Sequence, residues 1–536
     1  QAFVHCRGTY TVILNSDVQV TDGWLDAMLA VFEAHTDAGA VGPRIIYPSG
    51  RLQEAGVSFR PDATADMVGL NDDPDRPQYR YVRPVDYCSG AALMVRSNVL
   101  RDLGGFDDAF APAYCEDADF CLRLRQRGLK TYYTPDATVV HHLSKTMNSI
   151  APDWKVQQVA RNLVVLADRW SHEIDKLSDV RVLAFYLPQF HSIQENDQWW
   201  GNGFTEWVNV RKALPNYAGH YQPRRPADLG YYDLSDPSVM DRQSTLALRY
   251  GIDGFVYYYY WFNGRRLLEL PLERLLDTGK PAIPYCLCWA NENWTKKWDG
   301  GDSSVLVQQS HTPEDDRAVI RDMARHFSMP QYIRIDGRPV VLVYRVDLFP
   351  DFAATAERWR ETCLIDGLGE IYIAYVESHD LVHRGLPPAA FGCDASVEFP
   401  PLNMAERVAP PGPVLNAQFS GGVCDYADTA FRYCTRPLPA YRRFRGAMPG
   451  WDNTARRQDA SYCFDGVSPE IFQTWLETII TQTRKHHQGD ERIVFINAWN
   501  EWAEGAYLEP DERYGHAFLE AVRNAKDAER LLRLGS

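Results

Sequence analysis

Two glutamates, Glu501 and Glu504, stand three residues apart in the stretch INAWNEWAEGAYLEPD, directly after a short apolar run. Residues three apart on a strand point to opposite faces, so these carboxyls can act together only if the strand breaks into a turn at Trp502. At such a turn, two carboxyls in different surroundings can be tuned apart, one ionised and one protonated, as acid/base chemistry requires. The alternative is structural, with one glutamate capping the next helix. We predict that Glu501 and Glu504 form a catalytic pair.

The segment that must position this pair follows residue 180, where apolar runs of strand length alternate with helix-like stretches. The runs are RVLAFYLPQFH (181–191), GIDGFVYYYYWF (251–262), PAIPYCLCWAN (281–291), RPVVLVYR (338–345), EIYIAYVES (370–378), CDASVEFPP (393–401), FRGAMPGWDN (444–453) and RIVFINAWNEW (492–502). Strands that are buried on both faces read as continuous apolar runs. Eight such runs predict an α/β fold with a (β/α)8 TIM barrel over residues 180–526. FRGAMPGWDN is the weakest of the eight.

Polar and aromatic residues follow the apolar part of each run, and in this fold the carboxyl ends of the strands converge on one rim. Flat rings offer stacking area to the apolar face of a sugar, while amides and acids bond its hydroxyls. The pattern therefore predicts a sugar-binding cleft. The predicted substrate-binding residues are His191, Trp199, Trp200, Glu206, Trp207, Tyr258, Tyr260, Trp261, Asn291, Glu292, Trp294, Glu377, Trp451, Asn500 and Trp502.

Two of these assignments are open at the level of sequence. Tyr258 and Tyr260 lie on one face of their strand, and without its orientation they belong either to the core or to the cleft. The stretch WWGNGFTEW, residues 199–207, reads either as a sugar subsite or as a loop pinned by buried tryptophans.

A second group of candidate residues lies in the first third of the chain. The apolar run YTVIL leads into Asn15-Ser16-Asp17, YCEDADFCLRLRQRG contains Asp117, and a later strand-like segment ends in VVHH at His141 and His142. A carboxylate just beyond a buried strand is a usual place for a metal-bound phosphate. We expect Asp17, Asp117 and His141 at separate strand ends, as ligands or bases. A turn or cap role is the alternative for Asp17, and His142 reads as an ordinary surface or core histidine.

These three motifs resemble the DxD element, the ED motif and the late histidine of a family 2 inverting glycosyltransferase with the GT-A fold. The resemblance covers residues 1 to about 170 and matches the C-terminal part of this Rossmann-like domain, which we assign to residues 1–176. It implies that Asp17 and His141 hold Mg²⁺ or Mn²⁺ on a sugar-nucleotide diphosphate and that Asp117 deprotonates the acceptor hydroxyl. The family's first βαβ units, which bind the nucleotide base, would lie before residue 1, so we expect normal donor binding only in the intact domain.

Residues 180–526 closely resemble the WbsX-type, glycoside hydrolase family 99-like (GH99-like) domains. The matching stretches are FYLPQFH, NDQWWGNGFTEWVNVRKA, GHYQPRRPADLGYYDLSD, GIDGFVYYYYWFNG, CWANENWTKKWDG and NAWNEWAEGAYLEPD. EWAE resembles the Glu-Trp-His-Glu element of the family 99 endo-α-mannosidases and mannanases, with Ala503 in place of the histidine. The resemblance implies that Glu501 is a base on the sugar 2-hydroxyl and that Glu504 is the acid/base at the glycosidic oxygen. It favours cleavage or transfer of α-manno- or α-rhamno-configured glycosides of a bacterial surface polysaccharide, an O-antigen or capsule, with no cofactor in the barrel.

Composition narrows the partners and the compartment. The 536 residues carry a net charge of −15, with scattered Lys and Arg, which argues against nucleic acid as a partner. No apolar run reaches the roughly 18 to 20 residues of a membrane span. The eleven cysteines contain no CxxC pair, which fits reduced thiols and a cytoplasmic location. Residues 527–536 read as a C-terminal tail.

Two alternatives for the function of the barrel remain. One is that the barrel is itself a nucleotide-sugar glycosyltransferase, although it lacks a Gly-rich phosphate loop and a DxD element. The other is a non-catalytic glycan-binding domain, which would have the aromatic rim without needing both acids. Two glutamates at one turn favour the catalytic interpretation.

Overall fold

The computed structural model describes residues 5–60, 63–76, 79–80, 82–142, 152–177, 180–295, 305–378, 381, 385–401, 404–487 and 489–535. The chain divides into two units. The first comprises Gln1–Asp179 with Glu529–Ser536, and the second comprises Val180–Ala528. The last helix, Ala517–Gly535, is continuous through residue 526, so no break in secondary structure sets off a tail at residue 527.

A seven-stranded mixed sheet forms the centre of the first unit. The order along the sheet is Tyr10–Leu14, Ala92–Arg96, Ala38–Ile46, Lys130–His141 and Val18–Val20, with Leu52–Glu54 and Arg83–Val85 paired to its longest strands. Val57–Phe59 and Ala65–Met67 form a separate hairpin. The described helices of this unit are Trp24–Ala34, Ser97–Asp102, Glu116–Gln126 and Pro152–Leu177, with a 3-10 turn at Asp108–Phe110.

The candidate residues of the first unit do not all lie at strand ends. Asp17 occupies the turn between Tyr10–Leu14 and Val18–Val20, and His141 is the last residue of its strand. Asp117 lies instead in the first turn of the helix Glu116–Gln126, so its predicted position at a strand end is wrong. An acidic first turn is favourable because the N-terminal end of a helix carries partial positive charge.

Eight parallel strands close into a barrel in the second unit. They are β1 (Arg181–Tyr186), β2 (Gly254–Phe262), β3 (Tyr285–Trp289), β4 (Arg338–Val343), β5 (Tyr372–Val376), β6 (Ala395–Val397), β7 (Arg443–Ala447) and β8 (Ile493–Ile496). Each strand overlaps one of the eight apolar runs, and β7 is present although its run is the weakest.

The strands follow one another around the barrel in chain order, and β1 closes the ring. Leu183 of β1 pairs with Gly254 of β2, and Arg181 of the same strand pairs with Ile493 of β8. The predicted α/β fold with a (β/α)8 barrel is therefore confirmed.

Helices and short strands surround the barrel. The helices are Gln194–Trp200, Glu206–Lys212, Pro237–Arg249, Leu270–Thr278, Pro313–Ala324, Phe352–Ile365, Tyr426–Thr435, Thr454–Arg457, Pro469–His486 and Ala517–Gly535. The short strands are Arg265–Leu267, Trp294–Thr295, Val305–Val307, Arg334–Ile335, Arg407–Val408, Gly422–Asp425, Tyr462–Asp465, Asn500–Glu501 and Ala506–Tyr507. The 3-10 turns are Val346–Leu348, Pro388–Phe391, Gln458–Ala460, Gly489–Glu491 and Trp502–Glu504.

The tyrosines of β2 divide between the two faces of the strand. The Tyr259 hydroxyl donates to Asp322 on a surrounding helix at 2.6 Å. Tyr258 and Tyr260 point the other way and line a cleft. The sequence left open whether Tyr258 and Tyr260 belong to the core or to the cleft, and the structure places both in the cleft.

Two global features bear on the predicted partners. All eleven cysteines are free thiols. Among the described residues, no helix combines the length and the apolar character needed to cross a bilayer.

Candidate active site

A cleft of about 700 Å³ lies at the end of the barrel to which the strands direct their carboxyl ends. A cavity of this size can enclose a small saccharide. Its lining comes mainly from segments that follow the barrel strands. The lining residues are Leu187, Gln189, Asn196, Trp200, Tyr258, Tyr260, Ala290, Glu292, Asn293, Trp294, Leu306, Tyr344, Phe399, Pro401, Ala405, Arg407, Cys424, Trp451, Asn453, Arg456, Arg457, Tyr462, Phe464, Glu501 and Glu504.

Both glutamates of EWAE face this cleft because the chain turns between them. Asn500–Glu501 pairs with Ala506–Tyr507, and a 3-10 turn spans Trp502–Glu504. Gly505 ends the turn at φ 63°, in the left-handed region that glycine adopts without strain. The predicted turn at Trp502 is present, and it brings carboxyls three residues apart to one surface.

Arg456 joins the two carboxyls at the floor of the cleft. Its Nη2 lies 3.2 Å from Glu501 Oε2, and its Nη1 pairs closely with Glu504 Oε1. The same guanidinium lies 3.4 Å from Glu206 Oε2 in the wall behind. One buried cation is thus shared by three carboxyl groups.

The protonation of Glu501 follows from this arrangement. Burial, followed by the negative charge of Glu504, raises the pKa of Glu501 above the usual range of a glutamate, and the Arg456 guanidinium opposes the shift. A general acid or base works best when its pKa is close to the working pH. Glu501 is therefore a carboxyl that can exchange a proton near neutral pH.

Trp502 supports the turn from behind. Its indole N–H donates to Glu509 Oε2 at 2.6 Å, and its ring stacks on Tyr507 with centroids 3.8 Å apart. Glu509 also accepts from Tyr232 and Gln243 at 3.0 and 2.6 Å. Burial raises the pKa of Glu509 to about 7. These contacts hold the backbone between the two cleft carboxyls in one position.

Asp452 anchors the other side of the turn. Its backbone N–H donates to the Glu504 carbonyl oxygen at 2.5 Å. Its carboxylate accepts from His220 and Gln222 at 2.9 and 2.8 Å and lies 3.4 Å from Arg224. Burial alone would raise the pKa of Asp452, but the His220 hydrogen bond and the Arg224 charge hold it well below its usual range.

His220, Asp452 and Cys463 offer ligand atoms within 4.8 Å of one another, a spacing that could suit a metal ion. The hydrogen bonds of His220 do not fit this role. Its Nδ1 accepts the Asn216 N–H at 3.0 Å, so Nε2 of the neutral ring carries the proton and donates to Asp452. The cationic Arg224 beside Asp452 further disfavours a metal cation, and burial raises the pKa of the Cys463 thiol to about 12. We interpret the cluster as a hydrogen-bonded support.

Aromatic rings form one side of the cleft. Trp294 packs edge-on against Tyr260 and Phe262, with centroid distances of 5.4 and 5.7 Å. Burial, followed by the negative charge of Glu501, raises the pKa of both Tyr258 and Tyr260, so their hydroxyls remain protonated donors. Rings with hydroxyl donors beside acids are suited to bind a sugar face and its hydroxyls.

The structure brings eight of the residues that we predicted in the barrel into the cleft. They are Trp200, Tyr258, Tyr260, Glu292, Trp294, Trp451, Glu501 and Glu504. In WWGNGFTEW, Trp200 lines the cleft while Trp207 is buried, and the sugar subsite stays a prediction. The individual roles of these residues in binding or catalysis stay predictions.

The remaining predicted binding residues are not part of the cleft lining, so the geometry does not support direct contact between them and a substrate. They are His191, Trp199, Glu206, Trp207, Trp261, Asn291, Glu377, Asn500 and Trp502. Their polar atoms serve the fold. For example, Asn500 bonds both backbone groups of Leu187 at 2.7 and 3.0 Å, and Glu377 accepts from Arg443 at 2.8 Å.

The other members of this group are held in similar ways. Trp261 donates to Asp315 at 2.9 Å, and Asn291 exchanges two hydrogen bonds with the backbone of Arg345. Trp199 packs against the cleft residue Trp294, and burial lowers the pKa of His191. The sequence correctly indicated aromatic and polar residues near the strand ends. About half of these residues, however, do not face the cleft.

Sequence reasoning missed several cleft residues. Arg456 is the most important, and its segment TARRQ carries no signal apart from following the weak strand β7. Asn196 is also buried in the lining, and neither of its amide atoms has a hydrogen-bond partner among the described residues. Such an amide is available to a sugar hydroxyl. The neighbouring NDQWW motif pointed to this segment without singling out its asparagine.

The first unit contains a separate candidate site. His141 Nε2 lies 3.3 Å from Asp17 Oδ1, and Nδ1 of the same ring lies 3.2 Å from the Gln53 amide nitrogen. Gln53 Oε1 is buried without a hydrogen-bond partner among the described residues. Exchanging the amide O and N would let Oε1 accept from Nδ1–H and would turn the Nε2 lone pair toward Asp17. A divalent cation between Nε2 and the carboxylate fits that arrangement.

Asp117 sits in a cluster of carboxyls in the same unit. Its Oδ2 accepts the Gly90 N–H at 2.9 Å, while Glu54 accepts the adjacent Ser89 N–H at 3.0 Å. Burial raises the pKa of Asp117, and burial raises the pKa of Glu54 to about 7. A carboxyl with a raised pKa is a suitable proton acceptor, and Glu54 is a neighbour that the motif did not reveal.

A closed (β/α)8 barrel with a carboxyl pair and aromatic rings at its rim defines a carbohydrate-active class of protein. Comparison with protein families agrees with this class. Residues 182–522 match the family model described as Glycosyltransferase WbsX, and the chain belongs to this family. Residues 1–163 match the model described as Glycosyltransferase like family 2.

Individual relatives match one unit or the other. The uncharacterized protein WxcX of Xanthomonas campestris pv. campestris is 46% identical over 345 residues, which cover 64% of this chain and 49% of that protein. The chain thus spans about half the length of WxcX. An N-acetylglucosaminyl-diphospho-decaprenol L-rhamnosyltransferase of Mycobacterium tuberculosis is 30% identical over 174 residues, covering 30% of this chain and 56% of that protein. A GH99 endo-alpha-mannosidase structure from Bacteroides thetaiotaomicron has a TM-score of 0.41 and 14% identity over 67% of this chain and 99% of its own.

Proposed function

We propose that the barrel cleaves or transfers α-manno- or α-rhamno-configured glycosides of a bacterial surface polysaccharide, with Glu501 as base and Glu504 as acid. The observation that carries this proposal is the pairing of both carboxyls with one buried guanidinium, that of Arg456, on the floor of an aromatic cleft. A binding module needs the rings alone, whereas two carboxyls held against one buried guanidinium are costly unless they act.

The two carboxyls divide the proton transfers of the reaction. Glu501 takes the proton of the sugar 2-hydroxyl as O2 forms a bond to the anomeric carbon, and Glu504 gives its proton to the glycosidic oxygen as the old bond breaks. In the second step water or an acceptor hydroxyl attacks the anomeric carbon and loses its proton to Glu504. The bond from O2 to that carbon breaks, and O2 regains its proton from Glu501. The 2-hydroxyl must lie trans to the leaving group, as it does in α-manno and α-rhamno sugars.

The environment of Glu501 supports its role as the base. A hydroxyl is a weak acid, so its deprotonation needs a carboxylate of raised basicity, and burial beside Glu504 raises the pKa of Glu501. The Arg456 guanidinium opposes this rise in the pKa of Glu501. Glu504 is more open to the cleft, with a side chain 22% exposed against 7% for Glu501, which leaves room for a glycosidic oxygen.

The test combines a substrate analogue with two variants. A 2-deoxy glycoside lacks the nucleophile, so it should bind without being cleaved. Glu501→Gln should lose on the order of 10²-fold or more in turnover on every substrate. Glu504→Gln should lose activity mainly on substrates with poor leaving groups, because activated leaving groups need no proton.

Product stereochemistry by NMR completes this test, since two displacements retain the anomeric configuration. Rapid cleavage of the 2-deoxy substrate, or a glycosyl ester trapped on Glu501, would show that the carboxylate attacks carbon directly. That result would remove the constraint on sugar configuration.

For the first unit, the proposal is transfer from a sugar nucleotide to an acceptor hydroxyl. Asp17 and His141 would hold Mg²⁺ or Mn²⁺, which supplies positive charge to the diphosphate leaving group. Asp117 takes the acceptor proton, and its raised pKa supports this role. The match to the family 2 model and the name of the mycobacterial rhamnosyltransferase support a role in building a cell-surface glycan.

A second candidate for the barrel is glycosyl transfer from an activated donor, which the description of the WbsX family favours. The experiment is to supply nucleoside diphosphate sugars to the full chain and to Asp117→Asn, which removes the proposed base of the first unit. Transfer that persists in Asp117→Asn and disappears in Glu501→Gln would assign it to the barrel.

A further inference from the structure

One wall of the barrel cleft carries two arginines that serve neither of the cleft carboxyls. Arg407 and Arg457 both line the cleft and are exposed. Within the part of the chain that the structure describes, neither guanidinium pairs with a carboxylate, while Glu292 is paired with Arg345 at 2.7 Å. The charged residues of the lining are three glutamates and three arginines, Glu292, Glu501, Glu504, Arg407, Arg456 and Arg457. The cleft is therefore balanced in charge within a chain whose net charge is −15.

Arg407 is held in place by an aromatic ring. Its guanidinium carbon lies 4.8 Å from the centroid of the Tyr462 ring. A Cβ at Gly422 would come within 3.1 Å of both Arg407 Nε and Tyr462 Cε1, so the glycine leaves room for this stack. A stacked arginine loses less freedom on binding a ligand, and its edge remains open to hydrogen-bond acceptors.

Arg457 belongs to the same wall. The Tyr462 N–H donates to Asn453 Oδ1 at 2.8 Å, and the Asn453 N–H donates to the Tyr462 carbonyl at 3.1 Å. The helix Thr454–Arg457 begins at the next residue. The Arg407 stack and Arg457 are thus connected through one hydrogen-bonded segment, which also carries Arg456.

We propose that Arg407 and Arg457 form an anion subsite and that the barrel takes a glycan bearing an oxyanion. That group is the carboxylate of a uronic acid or a phosphate on the sugar chain, since guanidinium groups bind both as bidentate partners. The inference rests on the proposed function for the position of the scissile glycoside beside Glu501 and Glu504. The new element of the inference is that the glycan substrate carries a negative charge.

The test measures binding of matched glycan pairs to the full-length chain. One arm compares oligosaccharides containing α-mannuronic acid with the same compounds after reduction of the carboxyl groups. The other compares mannose 6-phosphate oligosaccharides with their phosphatase-treated forms. In one of the pairs, the charged glycan should bind at least about 10-fold more tightly than its neutral counterpart. This preference should weaken at high salt. The arm that shows the preference identifies the carboxylate or the phosphate as the source.

Three variants connect the preference to the arginines. Arg407→Gln and Arg457→Gln should each reduce the preference for the charged glycan, and the double variant should abolish it. Arg242→Gln, on an exposed face of the helix Pro237–Arg249, removes the same charge outside the cleft and should keep the preference. Equal affinity within both pairs, absence of binding to every glycan, or a preference that survives the double variant would overturn the proposal.

Turnover separates this proposal from the proposed function. If the anion subsite fails while the function holds, neutral and charged glycans are cleaved alike and Glu501→Gln abolishes both reactions. If the function fails while the subsite holds, the charge preference in binding persists without cleavage of any member.

Discussion

Single residues decide the chemistry of the cleft, and Arg456 has the largest share in it. Its guanidinium is shared by Glu501, Glu504 and Glu206. The positive charge keeps two neighbouring carboxyls in one site, and it limits the rise in the pKa of Glu501 that burial and Glu504 cause. A catalytic pair of this kind depends on a third residue that performs no proton transfer.

The role of Arg456 predicts a change in the pH dependence of turnover. The base must be ionised, so turnover rises as pH increases through the pKa of Glu501. Arg456→Gln removes a charge that lowers this pKa, and the rising limb should therefore move to higher pH by about one unit or more. The position of this rising limb is measured from turnover of an activated glycoside over a range of pH.

Arg456→Lys serves as the control for this prediction, because it keeps the charge but not the planar fork. Its rising limb should stay close to that of the unchanged protein, although turnover falls. A limb that does not move in Arg456→Gln would contradict electrostatic control of Glu501.

At the scale of elements, the turn Trp502–Glu504 is the feature that brings the two candidate acids at a strand end to one surface. On one side of the turn, the Trp502 indole N–H donates a hydrogen bond to Glu509. On the other side, the Glu504 carbonyl accepts the Asp452 N–H. The loops that follow β7 and β8 are thereby joined under the cleft. Trp502 was predicted to bind substrate, but its contacts indicate that it positions the carboxyls of Glu501 and Glu504 instead.

Gly505 tests the importance of this packing. A Cβ at Gly505 would lie 2.8 Å from Asp452 Cβ and 2.9 Å from its backbone nitrogen, so Gly505→Ala must displace the turn. We expect a loss of about 1–3 kcal/mol in the free energy of unfolding beyond the backbone strain, together with at least about 10-fold lower turnover. Chemical denaturation and steady-state kinetics measure the two effects.

Gly466→Ala is the matched control. Gly466 has φ 72°, close to the 63° of Gly505, but a Cβ there meets nothing within 4 Å. It should show the cost of the backbone conformation alone, roughly 1 kcal/mol. Equal losses in both variants would mean that the contact with Asp452 does not position the turn.

At the scale of the whole molecule, the chain joins two units with different candidate sites. The first presents Asp17, His141 and Asp117, and the second presents a carboxyl pair with Arg456. The proposed cation-dependent transfer and the proposed protonic glycoside chemistry require different environments, and each candidate site is built from the strands and helices of its own unit.

This separation predicts that the two activities respond differently to metal ions. Asp17→Asn should weaken Mn²⁺ binding, followed by electron paramagnetic resonance, by about 10-fold or more, since even the outer partners of metal ligands contribute that much. Cleavage by the barrel should be unchanged in this variant and in the presence of a chelator. Asp26→Asn, an exposed aspartate on the helix Trp24–Ala34, is the control and should bind Mn²⁺ normally.

Two results would contradict this prediction. Unchanged Mn²⁺ binding in Asp17→Asn would show that the metal ion does not bind at Asp17 and His141. Loss of barrel cleavage on chelation, with the fold intact, would bring a metal into the barrel, where His220, Asp452 and Cys463 lie together.

The sequence by itself determined the barrel, its approximate strands and the turn that brings Glu501 and Glu504 to one surface. Strands buried on both faces usually read as apolar runs. The run of β7 is weak because this strand carries two buried arginines, Arg443 and Arg445, which pair with Glu377 and Glu398. The break after Glu501 was predicted on the condition that the two acids act together, because acids three apart cannot share one face of a strand.

Only the tertiary structure decided which side chains reach the cleft. Arg456 precedes Glu501 by 45 residues, and nothing in its own segment indicates that its guanidinium meets both glutamates. Asn500 and Glu377 have the types of sugar-binding residues, yet neighbouring strands and loops take up their hydrogen bonds. Whether a polar residue at a strand end faces substrate or supports the fold depends on the partners that distant segments bring to it, and those partners are set by packing rather than by sequence spacing.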